Sequence, residues 1–405
     1  MPTLHELIES RFADEVAFLA DLVEQPSDNP PGDCAAHAER AAVLLGALGF
    51  DVERHVVPTS IVQSHGMKSA TNLVVRHRFG TGPVIALNAH GDVVPPGEGW
   101  MREPYGAEIV DGWMYGRGVA VSKSDFATYA FALDALKRAG KALKGTVELH
   151  FTYDEEIGGD IGPRWLLEQG ISKPDLAIGA GFSYAVVTTH NGCLHLEVEI
   201  RGRSAHAARP STGIDALETT TAVLAAIYDE RNRLKDHVST VPGIGSPQIT
   251  VGLISGGINT NVVPDRIIFR LDRRVIPAEN PEAVEQDLRR LIVDAAAKTN
   301  AQARVEVRRI LLARPLTELP AGKVLSETLC RNASRIMGEP VRPTGVPLYT
   351  DARHYAERGI PTVLYGAGPH TIEEANAHRA DERLALDDLR KATLVVADSI
   401  EDLLG

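Results

Sequence analysis

Two short stretches carry the residue types that acid–base or metal chemistry needs. HGDVVP at 90–95 sets His90 at the end of an apolar run, with Asp92 two residues on. A histidine there can ligate a metal while the aspartate orients its ring through the other nitrogen; a surface histidine in a turn is the plainer alternative. TYDEEIGG at 152–159 sets Asp154, Glu155 and Glu156 in a row. Crowded like charges repel unless a proton or cation sits among them. Adjacent side chains diverge, so Glu155 and Glu156 can divide the work, one as base and one as ligand. A solvated acidic turn would read the same way.

Three further stretches place polar groups where a site could be. RGRSAHAARPSTG at 201–213 flanks His206 with small residues. YTDARHYAERGIPTVLYGAG at 349–368 offers Arg353, either a bidentate clamp for a substrate carboxylate or an ordinary helix-surface arginine. NAHRADE at 376–382 follows a glycine-rich loop with His378. YGRGVAVSKSD at 115–125 is the odd one. Its arginine and Lys123 stand before a helical pattern, yet its centre, Val119-Ala120-Val121, can neither bind nor donate.

These stretches lie where strands end and loops open, and open α/β sheets place ligands there. Helical periodicity runs over 4–25, with Leu4, Leu7, Ile8, Phe12, Val16 and Leu19 on one stripe, and again over 35–48. Apolar runs at 72–78, 83–90 and 146–154 then alternate with helices. The alternation predicts an α/β fold with a mostly parallel sheet flanked by helices. From about residue 191 the pattern becomes strand 193–202, a helix with Ile214, Leu217, Thr221, Leu224 and Tyr228 on one face, strands 248–254 and 262–273, helix 281–298 and strand 303–311. That β-α-β-β-α-β order is a ferredoxin-like split unit. Helix 322–337, strand 361–366 and helix 385–403 then resume the first pattern. The expectation is a discontinuous catalytic domain, 1–190 and 314–405, with an inserted α+β lid domain at 191–313.

Composition narrows the partners. The chain of 405 residues is 44% hydrophobic and 24% charged, values of an ordinary globular protein. Its net charge of −12, without a long basic cluster, argues against nucleic acid and anionic membrane. Cys34, Cys193 and Cys330 form neither a disulfide framework nor a CxxC metal motif, as in a reducing compartment. With no signal-like or membrane-spanning apolar run, the expected location is the cytoplasm.

Taken together and in order, the motifs HGDVVP, YGRG with Lys123, DEEIGG, GRSAHAARPSTGIDA, GGINTNVVPD with LDRR, TDAR with GIPTVLYGAG, and AHRADE resemble a known family. It is the metallopeptidase and amidohydrolase family of acetylornithine deacetylase, succinyl-diaminopimelate desuccinylase, aminoacylase and the glutamate-releasing carboxypeptidases. With QPSDNPPGD at 25–33 the resemblance spans nearly the whole chain. It implies hydrolysis of an amide next to a carboxylate by a metal-bound water, with Glu155 as general base, Asp92 orienting His90, and the lid domain forming a homodimer. It further implies that Asn261, Arg273, Arg353 and Lys123 hold the substrate, and that His206 is a catalytic residue whose loop also helps to hold the substrate and reaches the partner subunit's site.

The sequence departs from that family at two metal ligands. The aspartate expected two residues before Lys123, which bridges two ions in the family, is Val121, and the acidic residue after the PDLAI strand is Gly181. His90, Glu156 and His378 remain. The cofactor expected is one zinc or other divalent ion at most, near Glu156 and His378, or none. Three readings follow: a hydrolase in which Asp125 or Asp154 replaces a ligand, a metal-independent acid–base enzyme (lyase, isomerase or hydrolase) acting on a carboxylate-bearing small molecule, and a non-catalytic binding protein.

Overall fold

The computed structural model describes residues 2–405, which divide into two compact units: 2–188 with 318–344 and 350–405, and 189–317 with 345–349. The strands Val52–Val56, Thr71–Arg78, Thr146–Thr152, Val84–His90, Leu176–Gly179, Thr362–Leu364, Val186–His190 and Pro343–Val346 follow one another across a single sheet, which belongs to the first unit except for residues 189–190 and 345–346. The four central strands, from Thr146–Thr152 to Thr362–Leu364, run parallel, and antiparallel strands flank them. The parallel strands are buried on both faces and apolar for most of their length, as such strands must be.

Helix Lys123–Ala139 is buried almost all round, because Leu4–Glu24 and Leu386–Leu404 pack beside it and the sheet lies beneath. Phe126 stacks on Phe151 of the sheet with ring centroids 3.8 Å apart. Helix Leu4–Glu24 opens on a capping box, Thr3 and Glu6 each satisfying the other's backbone N–H. The bottom of the site is thus a rigid, tightly filled core.

A small second sheet escaped the sequence reading. Strands Glu108–Val110 and Trp113–Tyr115 form a hairpin, and Arg383–Ala385 pairs with the latter. The hairpin turn is Asp111-Gly112, both at positive φ (49° and 80°), a two-residue loop that an Asp-Gly pair announces. This sheet brings AHRADE beside YGRG.

The second unit is a four-stranded antiparallel sheet in the spatial order Gln248–Gly256, Arg266–Val275, Gly192–Arg201, Arg304–Ala313, with helices Ala216–Leu234 and Pro281–Thr299. Two sequence expectations need correction here. The third strand starts at Arg266, not 262, because Val262–Pro264 form a loop in which Val263 N–H donates to Ala205 O. The inward face of the first helix is Ala216, Thr220, Val223 and Ile227, whereas Leu217 and Tyr228 are exposed (45% and 36%). Ala216 and Thr220 let the helix approach the sheet, Val223 and Ile227 fill the core beneath it, and Leu217 and Tyr228 point out.

Candidate active site

His90 ends its strand beside Thr152, which ends the neighbouring parallel strand, so His90 and the carboxylates of 154–156 emerge at the same edge of the sheet. His90 is 5% exposed. Its Nδ1 lies 2.9 Å from the Asp92 carbonyl oxygen and 3.4 Å from Asp92 Oδ1, and its Nε2 lies 4.0 Å from Glu155 Oε2. Asp92, fully buried, accepts the Glu155 N–H on Oδ1 at 3.3 Å and the Glu156 N–H on Oδ2 at 3.2 Å. Its Oδ2 also accepts from Asn29 Nδ2 at 2.9 Å. One aspartate therefore aims the histidine and both glutamates. The His90 N–H donates to Ser122 Oγ at 2.9 Å, which fastens the start of helix Lys123–Ala139 to the same strand.

The electrostatics of this edge are those of an anion cluster around one imidazole. Burial pushes the Glu155 carboxyl up; Glu156, Asp92 and Asp154 add to this, while His90 opposes it. Burial disfavours charge on His90, but Asp92, Glu155 and Glu156 outweigh it and raise the imidazole well above its usual range. Asp351 is raised by burial and by Glu155. Atoms of His90, Glu155 and Glu156 that could ligate a cation all lie within 4.8 Å of one another. His378 Nε2 lies 3.6 Å from Glu156 Oε1.

The loop with the apolar centre is core. Val119 and Ala120 are fully buried and Val121 packs against the same cluster. Where Gly181 stands, a Cβ would lie 2.7 Å from the Tyr365 amide nitrogen and 2.8 Å from the Leu364 carbonyl carbon, so the backbone of the next strand fills the place of a side chain. Asp125 and Asp154 are committed elsewhere. Asp125 Oδ1 accepts the Ala367 N–H at 2.8 Å, and burial pushes that carboxyl up to about 7. Asp154 Oδ2 accepts the Ile161 N–H at 2.6 Å. Both hold loops together.

Three residues expected to bind substrate are placed differently. Lys123 is fully buried, its Nζ donating to the carbonyls of Leu22 and Gln25 at 3.0 and 2.9 Å. Arg353, 4% exposed, donates to Gly158 O and pairs with Glu357 at 3.5 Å, so it braces the acidic loop rather than standing open as a clamp. Gly159 beside it has φ +71°, and a Cβ there would meet Asp351 Oδ1 at 1.9 Å. In the second unit Arg273 is buried against Glu279. His206 and Asn261 are exposed there and adjoin: His206 bridges to Val262, and Ala207 N–H donates to Asn261 O at 2.9 Å.

Asn29, Ser122, Asp351 and Glu382 were missed as members of the first unit's site. Asn29 sat in a proline-rich breaker, and Ser122 was overlooked beside Val121. Asp351 precedes Arg353 within TDAR, and Glu382 ends AHRADE, so proximity to motifs already recognised was the available signal.

A histidine braced by an aspartate, beside a buried glutamate at the carboxyl ends of parallel strands, defines a hydrolase-type acid–base centre on an α/β scaffold. Residues 86–402 match the model of peptidase family M20/M25/M40, and the chain belongs to that family. It is an enzyme of the amidohydrolase and peptidase class. The chain is 27% identical over 346 residues to a succinyl-diaminopimelate desuccinylase of a Nitratiruptor species, covering 83% of this chain and 88% of that protein. It shares its fold with aminopeptidase PepT of Bacillus cereus (TM-score 0.72, 23% identity, 98% of each chain). The same holds for YXEP of Bacillus subtilis, described as a dinuclear metal-binding peptidase (TM-score 0.69, 18% identity, 98% and 99% covered).

Proposed function

We propose that this enzyme hydrolyses an amide bond next to a carboxylate, in an N-acyl amino acid or dipeptide-like substrate, at a site that holds one divalent cation at most. The observation that carries the reading is the set of His90, Asp92, Glu155 and Glu156 at one sheet edge, together with the loss of the bridging ligand at Val121 and the filled space at Gly181.

The residues fit one ion and not two. His90 with Glu156, or Glu156 with His378, could hold a single cation and leave Glu155 free as base, whereas an isopropyl group and a bare backbone cannot complete a pair. Two divalent ions about 3.5–4 Å apart need anionic bridging, which Val121 does not supply. When bound, a cation of this kind polarises the scissile carbonyl and acidifies water.

The chain's own residues do the rest. Glu155 accepts the proton of the attacking water and returns it to the departing amine. Asp92 keeps the Glu155 and Glu156 backbone and the His90 ring in place, and Arg353 fixes the far side of that loop through Gly158. His206 and Asn261, both exposed in the second unit, are the proposed holders of the substrate carboxylate. The charged His90 beside Glu155 supports a second reading, acid–base catalysis without metal, in which imidazolium takes the cation's place.

The second unit also supports the proposed homodimer. Its outermost strand, Gln248–Gly256, exposes Leu253 (62%) and Ile254 (53%), and the nearby helix exposes Leu217. Apolar side chains on an open sheet edge need cover.

The test joins metal analysis of protein prepared without chelator to amine release from N-acyl amino acids and dipeptides, each compared with its carboxamide. At most one ion per chain and a strong preference for the free carboxylate are expected. Two tightly held ions would overturn the one-ion assignment, and equal turnover of carboxamides would overturn the substrate class.

A further inference from the structure

In the second unit, among residues given no role so far, three metal-ligating side chains converge on one face of the sheet. Cys193 and His195 are two apart on strand Gly192–Arg201 and so share a face. Asp272 on strand Arg266–Val275 stands directly across from His195 in the antiparallel register, and Arg274 stands across from Cys193. His195 Nε2 lies 2.9 Å from Asp272 Oδ2, and the Cys193 thiol donates to that same oxygen at 3.4 Å. The three donor atoms all fall within 4.8 Å of one another.

From these positions we infer that Cys193, His195 and Asp272 form a binding site for a single zinc-type divalent cation in the second unit.

The spacing suits that ion. Zinc bonds of about 2.3 Å to sulfur and about 2.0–2.2 Å to nitrogen and oxygen, at tetrahedral angles, place sulfur about 3.6 Å from the carboxylate oxygen and nitrogen about 3.4 Å from it. The sulfur–oxygen separation of 3.4 Å falls about 0.2 Å short of this, and the nitrogen–oxygen separation of 2.9 Å falls about 0.5 Å short. A thiolate, an imidazole and a carboxylate select zinc over magnesium or calcium, which prefer all-oxygen cages.

The surroundings are those of a ligand set rather than a chance meeting. Arg274 Nε donates to the other carboxylate oxygen, Asp272 Oδ1, at 3.0 Å, and its guanidinium lies over the Tyr349 ring, 5.7 Å from the centroid. That arrangement fixes the carboxylate rotamer and leaves Oδ2 turned toward Cys193 and His195, the usual outer-shell bracing of a metal ligand. Cys193 is buried while the side chains of His195 and Asp272 remain 34% and 28% exposed, which gives an ion an entry path and leaves a fourth position for water.

Cobalt(II) titration of the full chain tests this, because thiolate-bound cobalt has an intense near-ultraviolet charge-transfer band that oxygen and nitrogen ligands do not produce. The band is expected in the native protein, unchanged in His90→Ala, and absent in Cys193→Ser. His195→Gln and Asp272→Asn keep the thiol and should each weaken cobalt binding, read from the same band, at least ten-fold. No band in the native protein, a band surviving in Cys193→Ser, or unaltered affinity in both ligand variants would overturn the site. Since His90→Ala disables only the first unit's cluster, failure there and failure here are told apart.

Discussion

The Glu382 carboxylate meets the Arg117 guanidinium at 2.6 Å, with both side chains 2% exposed or less, and its other oxygen accepts the Ala120 N–H at 3.0 Å. Arg117 also donates to the carbonyls of Pro96 and Arg379, next to His378. An ion pair therefore shapes the GRGVAV loop and the histidine loop together, in a loop whose centre carries no ligand.

Removing one partner of that pair leaves an uncompensated buried charge. Glu382→Gln should cost about 3–5 kcal/mol of stability. Chemical denaturation reads this directly, and amide-hydrolase activity should fall with it because the His378 loop loses its tether. A loss below about 1 kcal/mol would show that the loop is held by its apolar packing alone.

How far this was legible in the sequence can be argued residue by residue. Strands and helices with strong periodicity were readable because burial on one face or both fixes their composition, as with Val84–His90 and Pro281–Thr299. The meeting of His90, Asp92 and Glu155 at one sheet edge was legible because both motifs follow apolar runs that read as neighbouring strands, although each motif alone reads equally as a polar turn. Lys123, Arg353 and Arg273 misled for one reason: a charged side chain has the same letter whether it faces a substrate or closes on a backbone carbonyl. Gly181 shows the reverse limit. Its missing carboxylate is visible in sequence, but the Tyr365 backbone that occupies the space is not.

Glu155→Gln keeps shape and removes the base. Turnover should fall on the order of 10²–10⁴-fold. Thermal unfolding should be unchanged or slightly improved, since a neutral amide no longer has to ionise among Asp92, Asp154 and Glu156. Full turnover in this variant would remove Glu155 from the mechanism.

Restoring the absent ligands should succeed at one position only. Val121→Asp should raise cation affinity, measured calorimetrically, by at least ten-fold without creating a second site. Gly181→Asp should lose about 1–3 kcal/mol to overpacking against Leu364 and Tyr365, seen as a lower Tm. A double variant that held two ions with unaltered Tm would contradict the account of the filled space.

The exposed edge of the second unit predicts an assembly. Light scattering on the native chain should give two copies, paired through strand Gln248–Gly256 by a two-fold axis. Ile254→Lys should give one copy, because a cation at an apolar, edge-to-edge contact is the standard block to strand pairing. A variant that stays dimeric would move the interface elsewhere.

The last prediction concerns pH and a residue far from the site. Glu15 is fully buried in helix Leu4–Glu24, where Thr393 Oγ1 of the last helix donates to its Oε1 at 2.5 Å. Burial pushes this carboxyl up to about 8, only partly offset by that hydrogen bond. The folded protein thus keeps the proton up to a pH near 8, while the unfolded chain releases it near the ordinary value of 4.5. Stability from this group is fully present below pH 4.5, falls as pH rises between the two values, and is lost above about 8. By pH 7 the difference amounts to about 3 kcal/mol. Glu15→Gln retains the acceptor for Thr393 and has no proton to lose, though it leaves an amide N–H₂ without a partner at a cost of about 1–3 kcal/mol. The variant should therefore be less stable than the native protein at pH 4.5, gain on it steadily, and equal or exceed it by pH 8. Denaturation midpoints at four pH values between these limits measure the difference in slope, and parallel curves would mean that Glu15 is ionised in the fold, with its charge compensated by a group other than Thr393.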